Sequence, residues 1–262
     1  MIHVEGDFQP RMQLYAINEV LKMRTYDVIA ISVTDSEMLA NALSNVTTPI
    51  ITFDSDFSPA HRSIRQFYIG VNDFQIGADL ASLANSLKPN GGKVCLMTAL
   101  HNQNLDNRLS GIRGVLAGHS NGTDITRLIG QANWFEANRC PWNTGDNSKR
   151  ALNQLDITLS SLKPDLLIST GDWAIRDPDT YREAVMAYSS SLQSGDVTVL
   201  FANGAYLPGH EKLIQDGLLH GVVSIDFDLM GKQVYKSVKV LLEQGEFEEV
   251  IHVGHTVTPK IN

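Results

Sequence analysis

Polar and aromatic side chains follow several of the short apolar runs in this sequence of 262 residues. Asp54 comes directly after the run PIITF, Asp172 and Trp173 come three and four residues after DLLIS, Asn203 follows VTVLFA, and Asp226 follows GVVSI. Carboxylates accept hydrogen bonds from hydroxyl groups, and an amide both donates and accepts them. These residue types at the ends of apolar runs are typical of a site that binds a polar small molecule.

Arg108 and Trp142 also belong to this candidate set, and several of its members have an alternative explanation. Arg108 follows an apolar run and a loop, at the predicted start of a helix, where a positive charge opposes the helix dipole. It is therefore expected to bind a ligand or an opposing carboxylate. Trp173 and Trp142, the latter in the segment CPWN, could stack on the C–H face of a sugar, but core packing explains each tryptophan equally well. When Asp54 is considered without the other residues, capping of a loop explains it equally well.

Other chemistry is not supported by the motifs. Gly118–Gly122 reads GHSNG, but a hydrolase nucleophile needs the order strand, turn, helix, whereas Ser120 lies between a predicted helix and a predicted strand. No G-x-G-x-x-G sequence follows a predicted strand, and the histidines are scattered along the chain. We therefore expect no catalysis, no cofactor and no metal ion.

Composition narrows the class of protein further. Hydrophobic residues make up 43% and charged residues 19% of the chain, which favours a folded core. The net charge is −8 with no basic run, so nucleic acid is a poor partner, and no apolar run approaches the roughly 18 to 20 residues of a membrane span. Cys95 and Cys140 are either two ordinary thiols or one disulfide.

Apolar runs and helix-period segments alternate along the whole chain, which predicts parallel, doubly wound sheets of the α/β class. The predicted strands are Ile2–Val4, Asp27–Val33, Pro49–Phe53, Gln66–Val71, Lys93–Thr98, Ile125–Ile129, Asp165–Ser169, Val197–Ala202, Gly221–Ile225 and Glu249–Val257. The predicted helices are Met12–Met23, Asp73–Leu87, Asn107–Leu116, Ser148–Leu162, Pro178–Leu192, Glu211–Asp216 and Leu229–Glu243.

Two lobes are predicted, with chain crossings at Asn102–Asp106 and at Ser224–Leu229. The N-terminal lobe would comprise residues 1–101 and 229–248, and the C-terminal lobe residues 102–228 and 249–262. Ligands of doubly wound sheets bind at the carboxyl ends of the strands. The ligand is therefore expected in a cleft between the lobes.

Four segments resemble the type I periplasmic binding proteins, the ribose-binding and LacI-like superfamily. They are TPIITFDSD, FYIGVNDFQIGADLA, NRLSGIRGVLAG and LHGVVSIDFDLMGKQVYKSVKVLLEQGE, and their order along nearly the whole chain is that of the family. The resemblance implies ligand contacts by Asp54 and Arg108 and closure of two lobes about a hinge. The chain departs from the pattern at Asn203, where the family has aspartate, and at Ile225 or Asp226, where it has glutamine.

The resemblance is strongest to subunits of sugar transporters, through the segment GDWAI. It implies a periplasmic protein that binds a sugar and delivers it to an ABC transporter permease or a sensor domain. The N-terminal segment MIHVEGDFQPRM has no features of a signal peptide. The alternatives are the effector-binding domain of a LacI-type transcription regulator and an α/β enzyme acting on a small polar substrate.

The first strand, loop and helix of the family have no counterpart in the sequence, so the N-terminal lobe is expected to be incomplete. One βα unit with a leader is roughly 35 to 45 residues. Without this unit, the strand Asp27–Val33 would expose an unpaired edge. We expect the 262-residue chain alone to be less stable than a longer form and to bind ligand poorly or not at all.

Overall fold

The computed structural model describes residues 10–23, 26–100, 102–119, 125–246 and 248–259. The strands within these ranges are β1 (Ile29–Ile31), β2 (Ile50–Phe53), β3 (Tyr68–Gly70), β4 (Gly92–Thr98), β5 (Trp134–Glu136), β6 (Trp142–Asn143), β7 (Leu166–Ser169), β8 (Thr198–Asn203), β9 (Gly221–Ile225), β10 (Val250–His252) and β11 (His255–Pro259). The α-helices are α1 (Pro10–Met23), α2 (Ser36–Leu43), α3 (Asp73–Leu87), α4 (Gln103–Leu116), α5 (Ser148–Ile157), α6 (Pro178–Val185), α7 (Ser189–Gln193), α8 (Pro208–Gln215) and α9 (Phe227–Leu242).

The chain divides into two compact units. Unit 1 comprises Met1–Val71 and Phe227–Val253, and unit 2 comprises Asn72–Asp226 and Gly254–Asn262. The predicted lobe boundary at residues 101 and 102 is therefore wrong, because β4 pairs with β7 in the sheet of unit 2. The predicted boundary at residues 248 and 249 is also wrong, because β10 pairs with β3 in unit 1. The boundary predicted at residues 228 and 229 lies two residues from the observed one.

Unit 1 is built on a four-stranded parallel sheet in the order β1-β2-β3-β10. Its core cluster joins α1 and α2 to the sheet, through buried residues such as Ile17, Leu39 and Ile50. Among the described residues, β1 pairs with β2 alone, as expected for an edge strand. The predicted strand Ile2–Val4 lies outside the described residues.

Unit 2 is built on a seven-stranded sheet in the order β11-β9-β8-β7-β4-β5, with β6 also paired to β4. All of these pairs are parallel except that of β11 with β9. The larger core cluster covers one face of the sheet with residues from α5, α6, α7 and α8. On the other face α3 packs against β8 and β9 and crosses α4. The α/β class with parallel sheets in two lobes is thus confirmed.

Most strand predictions match an observed strand, and two do not. Ile125–Ile129 is not a strand; only Ile129 forms an isolated bridge, to Phe135 of β5. Glu249–Val257 is split between β10 and β11, which belong to different sheets. The predicted helix Pro178–Leu192 is also interrupted, because a short 3-10 turn over Met186–Tyr188 separates α6 from α7.

Cys95 and Cys140 form a disulfide, which resolves the two alternatives left by the sequence. Cys95 lies in β4 and Cys140 lies in the loop that leads into β6, and both are buried in the core cluster of unit 2. The bond therefore ties this loop to a central strand.

Two glycines allow α3 and α4 to cross at very short distance. A Cβ atom on Gly77 of α3 would overlap the backbone carbonyl of Arg108, and a Cβ atom on Gly111 of α4 would overlap the backbone carbonyl of Phe74. A backbone atom cannot move aside as a side chain can, so the two helices would have to separate. This crossing also fixes the position of the side chains that α3 and α4 carry.

Replacement of Gly77 by alanine is expected to lower the free energy of unfolding by about 1 to 3 kcal/mol, the cost of overpacking a core contact. The matched control is Gly231→Ala in α9, where the new Cβ atom meets nothing within 4 Å. There the loss of backbone freedom in the unfolded chain should stabilise the protein by about 0.5 to 1 kcal/mol. Urea unfolding followed by circular dichroism measures both. Equal effects of the two substitutions would contradict the close crossing.

Candidate ligand-binding site

Asp54 lies at the carboxyl end of β2 in unit 1, as predicted, and is partly buried. Its φ angle is 60°, in the left-handed region that non-glycine residues seldom adopt. The backbone N–H of Asp54 donates to Ile69 O at 2.9 Å, and its carbonyl oxygen accepts from the Tyr68 hydroxyl at 2.8 Å. The residue is therefore held in an uncommon conformation by the neighbouring strand β3.

The second aspartate of the FDSD sequence, Asp56, has a structural role. The Arg65 guanidinium donates to its two carboxylate oxygens, from Nε at 2.9 Å and from Nη2 at 2.8 Å, and Thr52 Oγ1 donates at 2.6 Å. Burial acts to lower the pKa of Arg65, but its hydrogen bonds and charge interactions with Asp56 and Glu249 outweigh burial and raise that pKa. This buried pair fixes the loop that follows Asp54.

In unit 2, three of the predicted residues lie at one edge of the sheet. Strands β7, β8 and β9 are parallel neighbours, so their carboxyl ends meet at the same edge. Asp172 follows β7 by three residues, Asn203 ends β8, and Asp226 follows β9 directly. Asn203 and Ser224 are register partners at this edge. The sequence prediction that polar groups converge at strand ends therefore fits the topology of this unit.

Arg108 extends toward the same edge, but its position differs from the predicted one. Because α4 begins at Gln103 with Asn102 as its N-cap, Arg108 lies in the second turn and not at the helix start. Its Nε donates to Asp73 Oδ1 at 2.7 Å, and its Nη1 donates to Thr170 O, just past β7, at 2.8 Å. The expected opposing carboxylate exists, but it belongs to the same unit, at the start of α3.

The Arg108 guanidinium is thus oriented by two fixed acceptors. Both side chains of the ion pair are buried, with 9% of Arg108 and 5% of Asp73 exposed. The carbonyl oxygen of Thr170 accepts the hydrogen bond from Nη1. Thr170 is itself held in place, because its hydroxyl donates a hydrogen bond to the Thr98 hydroxyl of β4 at 2.9 Å. Within the described part of the chain, no acceptor meets the second terminal nitrogen, Nη2. The two N–H groups of Nη2 can therefore donate to a ligand at this edge.

Asp172 and Asn203 both bind groups close to them in the chain. The Asp172 carboxylate pairs with Arg176, whose Nη2 lies 3.0 Å from Oδ1. Asn203 Nδ2 donates to Ala205 O at 2.8 Å and lies 3.1 Å from His210 Nδ1. Asn203 is almost fully buried, whereas Asp226 is exposed.

His210 holds the loop after β8, and no pattern in the sequence singles it out. The N–H of Leu207 donates to its Nδ1 at 3.0 Å, so Nε2 carries the proton and donates to Ile175 O at 2.7 Å. The loop presents Tyr206, whose ring centre lies 6.0 Å from that of His210. Partial burial, and then the charge of Glu211, raise the pKa of Tyr206.

The two tryptophans are held mainly by packing in the hydrophobic core of unit 2. Trp173 is 4% exposed and belongs to the large cluster of unit 2, and its Nε1 donates to Asp146. Trp142 is partly buried against the same cluster, and its Nε1 donates to Thr158 Oγ1 at 2.8 Å. One side of Trp173 lines an open cavity of about 400 Å³ with residues of α5 and α6. Burial favours the core role for both, and sugar stacking stays a prediction.

Two further observations concern the described residues only. They contain no group of three or more histidine, cysteine, aspartate or glutamate side chains arranged to hold a metal ion. No helix among them is long and apolar enough to cross a membrane. Ser120 of the GHSNG sequence lies outside the described residues.

Comparison with known proteins places this fold in a family. A family model described as "Periplasmic binding protein domain" matches residues 3–246. No curated protein sequence matches the chain.

Solved structures of low sequence identity share the fold. An ABC transporter solute-binding protein from Burkholderia graminis C4D1M in complex with D-arabinose has 23% identity and a TM-score of 0.75, over 96% of this chain and 81% of that one. A solute-binding protein from Agrobacterium vitis with bound D-fucose has 16% identity and a TM-score of 0.79, over 96% and 80%. One from Actinobacillus succinogenes 130z with bound D-allose has 17% identity and a TM-score of 0.73, over 98% and 85%. The chain belongs to the periplasmic binding protein family.

Proposed function

We propose that this protein binds a neutral sugar and delivers it to an ABC transporter or to a sensor domain. The observation that carries the proposal is the set of polar groups at the carboxyl edge of the sheet in unit 2, where Asp172, Asn203 and Asp226 follow adjacent strands and Arg108 is fixed beside them. Carboxylate oxygens and the amide oxygen of Asn203 accept hydrogen bonds from sugar hydroxyls, and the guanidinium of Arg108 donates to them.

The charges of these groups favour a neutral ligand. The positive charge of Arg108 is already paired with Asp73, and that of Arg176 with Asp172, while Asp226 adds a further carboxylate to this edge. An anionic ligand would therefore compete with Asp73 for Arg108 and with Asp172 for Arg176. The three family relatives above are in complex with D-arabinose, D-fucose and D-allose, which are all uncharged.

Asp54 of unit 1 is the counterpart, by resemblance, of the aspartate that contacts ligand in the family. Its strained conformation supports this role, because strain of this kind is concentrated at functional sites. Trp173 and Trp142 would support the neighbouring loops from the core. Ligand is expected to be released unchanged, because the proposed role is transport and not catalysis.

The Cys95–Cys140 disulfide fits an extracytoplasmic location, because such bonds persist in oxidising compartments such as the periplasm. The transport role requires a partner with which the sugar-loaded protein docks, a permease or a sensor domain. A role as effector domain of a transcription regulator would require a cytoplasmic location, where such a bond is rare.

Asp54→Ala is expected to weaken sugar binding by about 2 kcal/mol, or about 30-fold in Kd, because the sugar hydroxyls would lose a charged acceptor. A thermal-shift screen of the full-length protein with D-arabinose, D-fucose and D-allose selects the sugar, and calorimetry then compares the variant with the wild type. The matched control is Asp27→Ala, an exposed aspartate of the same unit. Equal affinities for all three proteins would remove Asp54 from the site.

A further inference from the structure

A short turn holds the backbone of Asp54 in its unusual conformation. The Ser55 N–H donates to Phe53 O at 2.6 Å, so the hydrogen-bonded ring closes around Asp54 alone. With a φ angle of 60° at its central residue, this is the rare and strained form of the γ-turn. A strained turn persists only where the surrounding structure imposes it.

Tyr68 supplies one of the contacts that impose it. Its hydroxyl donates to the carbonyl oxygen of Asp54 at 2.8 Å, from the first residue of β3. Tyr68 is only 6% exposed, so little water competes for this hydrogen bond. The bond acts on the strained residue itself and resists rotation of its peptide group.

Gly70 provides the space in which the Tyr68 side chain lies. A Cβ atom on Gly70 would overlap the hydroxyl oxygen and the ring of Tyr68. The end of a side chain can move where a backbone cannot, so alanine at this position would displace the phenol and not the strand. The Tyr68 side chain thus lies over Gly70, and its hydroxyl reaches the carbonyl oxygen of Asp54.

The rest of the loop is fixed independently of Tyr68. Asp56 is held by Arg65 and Thr52, and Ser55 O accepts from the Val33 N–H at 3.0 Å. Loss of the Tyr68 hydroxyl would therefore leave the loop attached at both of these points. We therefore expect the loss to act on the orientation of Asp54 and not on the attachment of the loop.

We propose that Tyr68, seated over Gly70, is a positioning residue that holds Asp54 in the orientation in which its carboxylate binds the sugar. Tyr68 acts through Asp54 and its hydroxyl is committed to the backbone of that residue. The inference rests on the proposed function of Asp54, and its test is built so that the two can fail separately.

The first test is a double-mutant cycle on the full-length protein, measured by calorimetry with whichever of D-arabinose, D-fucose and D-allose binds best. Tyr68→Phe is expected to weaken binding about tenfold, the equivalent of one lost hydrogen bond. Asp54→Gly removes the carboxylate and suits the positive φ angle. In that background Tyr68→Phe should have no further effect on affinity. The same loss in both backgrounds would overturn the proposal.

Two more variants separate positioning from general damage to the fold. Gly70→Ala should weaken binding in the wild-type background as Tyr68→Phe does, and should also have no effect once Asp54 is glycine. Tyr235→Phe, at a tyrosine that is 58% exposed in α9, should leave affinity unchanged. Loss of affinity in Tyr235→Phe as well would mean that the assay reports general destabilisation, and it would count against the proposal.

Amide hydrogen exchange tests the positioning without any sugar. The Ser55 N–H closes the strained turn, so Tyr68→Phe is expected to raise its exchange rate at least severalfold, and Tyr235→Phe to leave it unchanged. If the wild type binds none of the three sugars, the proposed function fails, and faster exchange at Ser55 would still support the positioning of Asp54. An unchanged exchange rate in Tyr68→Phe would overturn the positioning whether or not sugar binds.

Discussion

Replacement of Arg108 by alanine is expected to lower the free energy of unfolding by about 3 to 5 kcal/mol, because the buried carboxylate of Asp73 would lose its cation. More than nine-tenths of each side chain in this ion pair is buried, and Arg108 also donates a hydrogen bond to Thr170 O. Removing one partner leaves the other charge in a medium that solvates it poorly. Urea unfolding of the full-length protein, followed by circular dichroism, measures the loss.

A double variant distinguishes the lost pair from lost packing. Arg108→Met combined with Asp73→Leu removes both charges and keeps apolar volume, so most of the stability should return. Sugar binding should stay weak in this variant, because the Arg108 donor is gone. A change of less than about 1 kcal/mol in Arg108→Ala would be the size of an exposed ion pair and would contradict the buried pair.

Removal of the disulfide by the paired change Cys95→Ala and Cys140→Ala is expected to lower the free energy of unfolding by about 4 kcal/mol. The bond closes a loop of 45 residues, and the loop-closure entropy of a chain of that length corresponds to about 4 kcal/mol at 25 °C. Because both sulfur atoms are buried, the native protein should resist mild reductants until it unfolds.

The matched comparison is the wild-type protein reduced in denaturant and then diluted into buffer with reductant. Its unfolding midpoint should fall to that of the alanine variant, whereas the oxidised wild type should unfold at higher urea. Identical midpoints for the oxidised wild type and the alanine variant would contradict a stabilising disulfide.

The elements that the sequence predicts best are those with a clear signal at both ends. The helix over Asp73–Leu87 is correct to the residue, because Asn72 caps its start and apolar residues recur at helical spacing. The strand Gly221–Ile225 is also correct, because it is short, apolar and bounded by polar residues. By contrast, Ile125–Ile129 was predicted as a strand from its apolar residues alone, and the strand lies instead at Trp134–Glu136.

The lobe boundaries depend on long-range pairing, which local pattern does not contain. Both β3 and β4 are short runs that contain buried apolar residues, and nothing in the residue types of Val71 and Asn72 marks a change of unit. Its pairing with β5, β6 and β7, the last more than 70 residues later, assigns β4 to unit 2. The same reason explains the division of Glu249–Val257, whose two halves pair with strands in different units.

The strand ends where the candidate residues lie were predictable from the sequence, whereas their side-chain partners were not, and their role in ligand binding stays a prediction. The positions of Asp172, Asn203 and Asp226 at one edge follow from the parallel order of their strands. The pairing of Arg108 with Asp73, and the burial of Trp173 beside Asp146, depend on how helices and loops pack on the sheet. An aromatic residue after a strand is equally compatible with a ligand platform and with a core.

Calorimetric titration of the full-length protein with D-arabinose, D-fucose and D-allose measures sugar binding itself. We expect a saturable heat for at least one of them, with one sugar per chain, and recovery of that sugar unchanged by chromatography. A sugar phosphate or sugar acid of the same ring size should give no heat, because Arg108 and Arg176 are already paired with carboxylates. No heat with any neutral sugar, preference for the anionic analogue, or a new product in the recovered ligand would contradict the proposed function.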